Sequence, residues 1–315
     1  MSAPPTPPAP LQAPLPPPEP SDREEHPDEP LRGIILVLVA TALFSVSDAL
    51  GKTLTATLPP TEIVWLRWVG FTLIMLPVAA RRRGAALRTR VPGLQLPRGV
   101  LILLSSAFFV AGLRTLPMAS ATTMSFVSPL LVTALSIPLL GERVGPRRWA
   151  AVLVGLGGVL IVVRPGTDSF DPAAVFPLLS ALFWALSLIA TRRIGGFDGP
   201  ATTMIYSAIT GLAVASGFLP FAFVPPGPRE VALAGLMAAA ATAGQFLLVN
   251  GYRFAAASVL APLSYTQLIW SGLLGWLVFG GLVDRWTVLG AAVIIGSGVY
   301  TARRERAVRA APARR

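Results

Sequence analysis

Long apolar segments separated by short polar gaps succeed one another along this chain of 315 residues, and that succession limits the folds open to it. A hydrocarbon core about 30 Å thick takes roughly 20 apolar residues per helix, with every backbone group satisfied inside the span. Ten segments meet that requirement, approximately 32–51, 61–80, 99–116, 119–140, 149–164, 173–191, 201–222, 231–252, 257–280 and 285–302. The fold class expected is an all-α polytopic membrane protein with ten transmembrane helices. With 53% hydrophobic residues, 13% charged residues and a mean hydropathy of +0.66, the composition agrees.

The gaps hold breakers and charges: "LPP", "RRRGAALRTR", "GERVGPRR", "RPGTDSFDP", "RRIGGFDGP", "PPGPRE" and "LVDR". A net charge of +11 would suggest nucleic acid in a soluble protein, but here the arginines sit in short gaps between apolar runs. That pattern orients helices in a bilayer and builds no nucleic-acid face. Placing the amino terminus in the cytoplasm puts Arg32, the cluster from Arg81 to Arg98, Arg143, Arg147, Arg148, Arg192, Arg193, Arg253 and the arginines from Arg303 onward inside. Only Lys52, Arg114, Arg164, Arg229 and Arg285 then lie outside, so both termini are expected in the cytoplasm and the protein in the inner (plasma) membrane. Residues 1–30 are dominated by proline and are expected to be a disordered tail, since they carry too little apolar surface to offset ordering entropy. They have no signal-peptide pattern. Residues 304–315 form a second, basic tail.

The two halves of the chain echo each other. "TALFSVSDALGKT" aligns with "SALFWALSLIATR" at the start of each half, and "RRWAAVLVGLGGV" with "DRWTVLGAAVIIGSGV" at the end. Five spans per half place the two copies in opposite orientations, an inverted repeat of the kind from which many secondary transporters build alternating access. The repeats are taken as 31–166 and 167–303.

These halves, the "GER" after the fourth span and the "RRW" opening the fifth resemble the EamA family of the drug/metabolite transporter superfamily. Within that fold "ATTMSFVSPLL", "YSAIT" and "YRFAAASVLAPLSY" are most similar to the branch of bacterial S-adenosylmethionine uptake carriers. The resemblance implies two five-helix EamA repeats and a central cavity formed by helices other than the fifth and tenth. The second half departs from it: "FGGLVDRW" stands where a full repeat keeps "GE", which leaves Glu142 without a counterpart.

Of the fifteen acids, only Asp48 lies well inside a span, four residues before Lys52, the sole lysine. A central charge costs roughly 2.5–3.5 kcal/mol on insertion scales, so such residues face a cavity or a partner. At 1.5 Å per residue Asp48 lies about 24 Å from the inner mouth of its span and Arg67 about 10 Å below the outer mouth of the next. Asp48, Lys52, Arg67 and Arg114 therefore share an outer layer, with Glu62 at the rim. Arg67 or Arg114 is expected to meet an anionic group of the substrate, while Asp48 pairs with Lys52 or receives an amine. The bland alternative has Lys52 and Arg114 snorkelling to the interface and Asp48 only neutralising Lys52.

Polar stripes add Thr122, Ser125 and Ser128 on the fourth span, Trp184 and Ser187 on the sixth, Thr203, Tyr206 and Thr210 on the seventh, and Ser264, Gln267 and Ser271 on the ninth. Hydroxyls in spans commonly glue helices together, so the stronger cavity candidates are Trp184, Tyr206, Gln245, Tyr265 and Gln267, with Ser125. The glycines of the fifth and tenth spans suit close packing or a homodimer contact.

The function expected is secondary transport of a small polar or zwitterionic metabolite, amino-acid-like or S-adenosylmethionine, with export of drugs or amino acids as the alternative. Asp48 and Glu62 are the coupling candidates. An enzyme fails on inventory: there is no cysteine, the single histidine is in the tail, and no pair of deep carboxylates is present. Neither cofactor nor metal is expected.

Overall fold

The computed structural model describes residues 30–81, 87–140, 145–195, 197–221, 223–254 and 257–310. Helices account for nearly all of them: α1 (Pro30–Leu54), α2 (Pro60–Arg81), α3 (Pro92–Thr115), α4 (Met118–Ser125), α5 (Ser128–Leu140), α6 (Pro146–Val163), α7 (Val175–Ile194), α8 (Pro200–Phe218), α9 (Pro228–Phe254), α10 (Ala257–Leu260), α11 (Thr266–Phe279) and α12 (Arg285–Ala310). Six of these helices open on proline, whose missing N–H is an orphan in the first turn and whose fixed φ suits the helix. The prolines that punctuate the sequence thus set where helices begin. The amino-terminal tail and Glu142 lie outside the described residues.

Among the described residues seven stretches are long and apolar enough to cross a membrane, which makes this a multi-pass membrane protein. Two more apolar helices, Trp149–Val163 and Arg285–Tyr300, are shorter. The expected ninth span is broken into α10, a tight turn over Ala261–Tyr265 and α11. The fourth is interrupted between α4 and α5, just before Pro129, which has no N–H to return to the Ser125 carbonyl. Large apolar side chains such as Leu153, Leu160, Ile269 and Leu277 stay exposed, the composition a lipid-facing surface requires.

Two boundaries differ from the sequence expectation. α3 starts at Pro92 rather than near residue 99, so Gln95, Pro97 and Arg98 are helical. Pro97 sits close enough to the helix start to cost a single backbone bond. At the other end α12 runs on to Ala310, so the first part of the expected tail continues the helix.

α1 packs against α9 and α11, α7 against α3 and α5, α2 against α8 and α9, α3 also against α8, and α6 against α12. The α6–α12 contact is close: a Cβ on Gly290 would lie 2.6 Å from the Gly158 carbonyl oxygen, and one on Gly158 would lie 3.0 Å from that of Gly290. Only glycine permits that approach. The main apolar core lies where α1, α2, α3, α8 and α9 converge, around Leu54, Ile63, Trp68, Leu103 and Met237.

Candidate functional site

Asp48 lies on α1 with only 7% of its surface exposed. Its carboxylate is flanked from two sides. Gln267, in the first turn of α11, donates its side-chain amide to Oδ2 at 3.3 Å, and the Arg67 guanidinium of α2 faces Oδ1 at 4.0 Å. That last separation is attraction without a hydrogen bond. The donors of Arg67 go instead to the hydroxyls of Ser47 at 3.2 Å and Ser106 at 3.5 Å, which bind it to α1 and α3. Ser47 in turn donates to the Met237 carbonyl of α9 at 3.0 Å. Thr41 and Ser45 tie α1 to the backbone and side chain at the start of α11.

The result is a buried acid and a half-buried guanidinium held on separate helices, close together but not hydrogen-bonded to each other. A ligand amine or carboxylate would have to part the two groups, but no direct hydrogen bond between them would have to break. Removing either charge alone leaves the other uncompensated in a dry interior, the situation that costs most.

Beside this centre the two interrupted spans meet. The Phe126 ring, at the end of α4, lies 5.2 Å from the Tyr265 ring, just before α11. Thr122 and Ser271 share a hydrogen bond of 2.8 Å across the same contact. The Ser125 hydroxyl reaches Ala121 and Pro177. Interrupting a span frees backbone groups and presents a helix amino terminus at mid-depth, where its dipole favours an anion. Here the breaks are tightened turns: α11 follows directly on the helical turn Ala261–Tyr265, and the Leu130 and Leu131 amides at the start of α5 are held by the Val127 carbonyl.

The other candidates disperse. Lys52 does not pair with Asp48: its ammonium donates to the carbonyls of Leu113 and Leu116 at 2.7 Å each, closing the end of α3, and lies 5.6 Å from the centre of the Phe279 ring. It also borders a small cavity of about 50 Å³ shared with Ser120, Phe279 and Asp284. The i,i+4 spacing suggested an ion pair, but nearby backbone acceptors at a helix end satisfy an ammonium at less conformational cost. Arg114 is exposed in the last turn of α3. Glu62, expected at a rim, is fully buried at the start of α2, where Oε2 accepts the Val224 N–H at 3.0 Å and Oε1 has no partner. Trp184 is 40% exposed. The Tyr206 hydroxyl donates to the Leu87 carbonyl, beyond the far end of α2. Gln245 is half-buried on α9, eight residues or about 12 Å from the level of Met237.

A second polar group was hidden in the sequence because Arg98 reads as a loop charge. From α3, Arg98 donates to the Thr191 hydroxyl of α7 at 2.6 Å, to the Ser207 hydroxyl of α8 and to the Thr203 carbonyl. One turn earlier the fully buried Gln95 donates to Asp198 at 2.9 Å and to Thr203 at 3.2 Å. Asp198 also accepts the Thr89 hydroxyl and the Arg90 N–H at 3.1 Å. These bonds hold its carboxyl below the ordinary value, the Gln95 and Thr89 contacts contributing most. This group becomes legible only once α3 is extended to Pro92, which puts Gln95 and Arg98 on the helix.

The EamA-like transporter family matches residues 31–164 and again residues 172–302. The chain belongs to that family. Relatives of this EamA-family chain are transporters rather than enzymes. It is 33% identical over 290 residues, 89% of this chain and 94% of the relative, to a riboflavin transporter of Rhizobium johnstonii. It is 26% identical to an S-adenosylmethionine uptake transporter of Rickettsia prowazekii, over 86% of this chain and 92% of that one. A pseudopaline exporter of Pseudomonas aeruginosa is 29% identical over 87% of this chain and 97% of the exporter. One solved crystal structure, 21% identical, shares the fold with a TM-score of 0.62 over 88% of this chain and 99% of that one.

Proposed function

We propose that this chain is a secondary transporter that moves a small polar or zwitterionic metabolite across the plasma membrane by alternating access of two inverted halves, α1–α6 and α7–α12. The observation that carries the proposal is the buried Asp48 carboxylate set between Gln267 and an Arg67 guanidinium 4.0 Å away, beside two interrupted spans. Opposite charges on separate helices, not hydrogen-bonded to each other, suit a molecule that carries both an amine and an acid. Asp48 is also the deepest acid and so the first coupling candidate, with Glu62 second.

The packing supports the inverted halves. Exchanging α1 with α7, α2 with α8, α3 with α9, α4/α5 with α10/α11 and α6 with α12 converts each major helix contact into another that is present. Thus α1 on α9 becomes α7 on α3, α3 on α8 becomes α9 on α2, and α1 on α11 becomes α7 on α5. Ten membrane crossings with both termini in the cytoplasm belong to this reading, and the arginines near one end of the bundle, Arg90, Arg98, Arg192 and Arg193, support that orientation. A homodimer would use the outward side of α6 and α12, where Gly157 and Gly296 have open space beside them; disulfide trapping through Gly157→Cys tests it.

The test of function is counterflow in proteoliposomes with labelled riboflavin, S-adenosylmethionine and amino acids. The expected result is saturable exchange of one of these, abolished by Asp48→Asn and by Arg67→Gln in protein that still folds. Exchange untouched by both substitutions overturns the site. Accumulation against a gradient by a chain lacking both Asp48 and Glu62 carboxyls overturns proton coupling. Export is the second reading, favoured by the likeness to the pseudopaline exporter, and the direction of net flux in cells decides it.

A further inference from the structure

Two carboxylates outside the Asp48 centre make contacts that the proposed function leaves unused, and the contacts are related. Glu62, in the first turn of α2, accepts the Val224 N–H from the connection between α8 and α9. Asp198, two residues before α8, accepts the Arg90 N–H from the connection between α2 and α3. Exchanging the two halves therefore converts one contact into the other: an acid entering the second helix of one half holds the loop that leaves the second helix of the other.

The two contacts lie at opposite ends of the bundle. α2 starts at Glu62's turn and finishes at Arg81, and a helix of 22 residues spans about 33 Å. Each contact has company. On the Asp198 side Thr89, Gln95, Tyr206 and Arg98 add bonds between residues 87–98 and residues 191–207. On the Glu62 side Trp65 of α2 donates to Ser216 of α8 at 3.0 Å. The two ends are unequally made, however. Asp198 has both oxygens occupied, whereas Glu62 is fully buried and keeps Oε1 without a partner. A buried carboxyl oxygen left bare is a stored cost that a change of state can relieve.

We propose that Asp198 and Glu62 are reciprocal latches between the two halves, one on each membrane face, and that transport opens them in alternation. This rests on the inverted-halves reading above. In the structure described here the Asp198 end is closed and fully bonded, while the Glu62 end is held by a half-satisfied acid.

The chain has no cysteine, so single reporters can be read without background. Thr202→Cys lies buried beneath the Asp198 latch and Ala215→Cys lies buried near the Glu62 end of α8. Each is combined with Asp198→Ala, Glu62→Ala or no further change in the full chain, reconstituted without substrate and reacted with a membrane-impermeant maleimide from each side. Losing a hydrogen bond to a charged group is expected to shift the ratio of states about tenfold. Asp198→Ala should then raise labelling at residue 202 and lower it at residue 215, and Glu62→Ala should do the reverse. Arg90→Pro and Val224→Pro remove the donor N–H and leave the acids in place, so they must reproduce the two patterns if Glu62→Ala or Asp198→Ala fails to fold. Labelling that rises only on the altered side, or at both sites together, overturns alternation and leaves simple staples. Because no substrate is present, counterflow that fails for every metabolite tried would unseat the function without changing this outcome.

Discussion

Lys52 gives its ammonium to the carbonyl oxygens of Leu113 and Leu116, 2.7 Å from each, and leaves Asp48 to Arg67. The lysine is therefore a fastener between α1 and the end of α3. Lys52→Met should lower stability by about 1–3 kcal/mol, the cost of stranding two acceptors at a helix end, with little change in substrate KM. Thermal unfolding in detergent set beside counterflow checks it; lost exchange with unchanged unfolding would return Lys52 to the site.

Arg67 and Asp48 should fail asymmetrically. Arg67→Met leaves a buried carboxylate with Gln267 alone, a loss of about 3–5 kcal/mol. Adding Asp48→Asn should recover much of that stability without recovering transport. A double-mutant cycle measured by both unfolding and counterflow separates the structural part from the binding part.

Asp198 makes the loop contacts at its end of the bundle sensitive to acid. The folded carboxyl sits below its ordinary value, chiefly through Gln95 and Thr89, with burial opposing. Its contribution is thus fully present above about pH 4 and fades as pH falls through the lower folded value. Hydrogen-exchange protection at Thr89–Val91, taken relative to the intrinsic rate at each pH, should fall on acidification in the parent chain and be already low and independent of pH in Asp198→Ala.

Gly298 on α12 accommodates the Tyr265 hydroxyl, which would stand 1.7 Å from an added Cβ. Gly298→Ala should destabilise by about 1–3 kcal/mol through overpacking, and Tyr265→Phe should restore part of it. Melting of the single and double variants measures the relief.

How much of this was legible in one dimension depends on what each residue answers to. Asp48 and Arg67 group with Lys52 and Arg114 because depth along a helix is arithmetic and because a charge in hydrocarbon demands company, whereas Gln267 enters only through a polar stripe on the ninth span. The spacing suggests an Asp48–Lys52 pair that the structure does not make, because spacing along one helix says nothing about which other helix ends beside it. Arg98 and Gln95 were missed for a different reason: Pro97 and the run of arginines resemble a loop, while the helix absorbs the proline near its start. Tyr206 carries a cavity-like stripe yet spends its hydroxyl on Leu87. A polar stripe reports that partners exist, not whether they are solute or protein.

The Asp48–Arg67 pair has no charged equivalent in the second half, where the aligned "ALSLIATRR" sets Ser187 against Asp48. A scaffold with near two-fold symmetry would by itself accept a ligand in two equal poses. With both charges carried by α1 and α2, the proposed site is unequal between the halves, and under the proposed transport cycle an asymmetric solute would be held one way round.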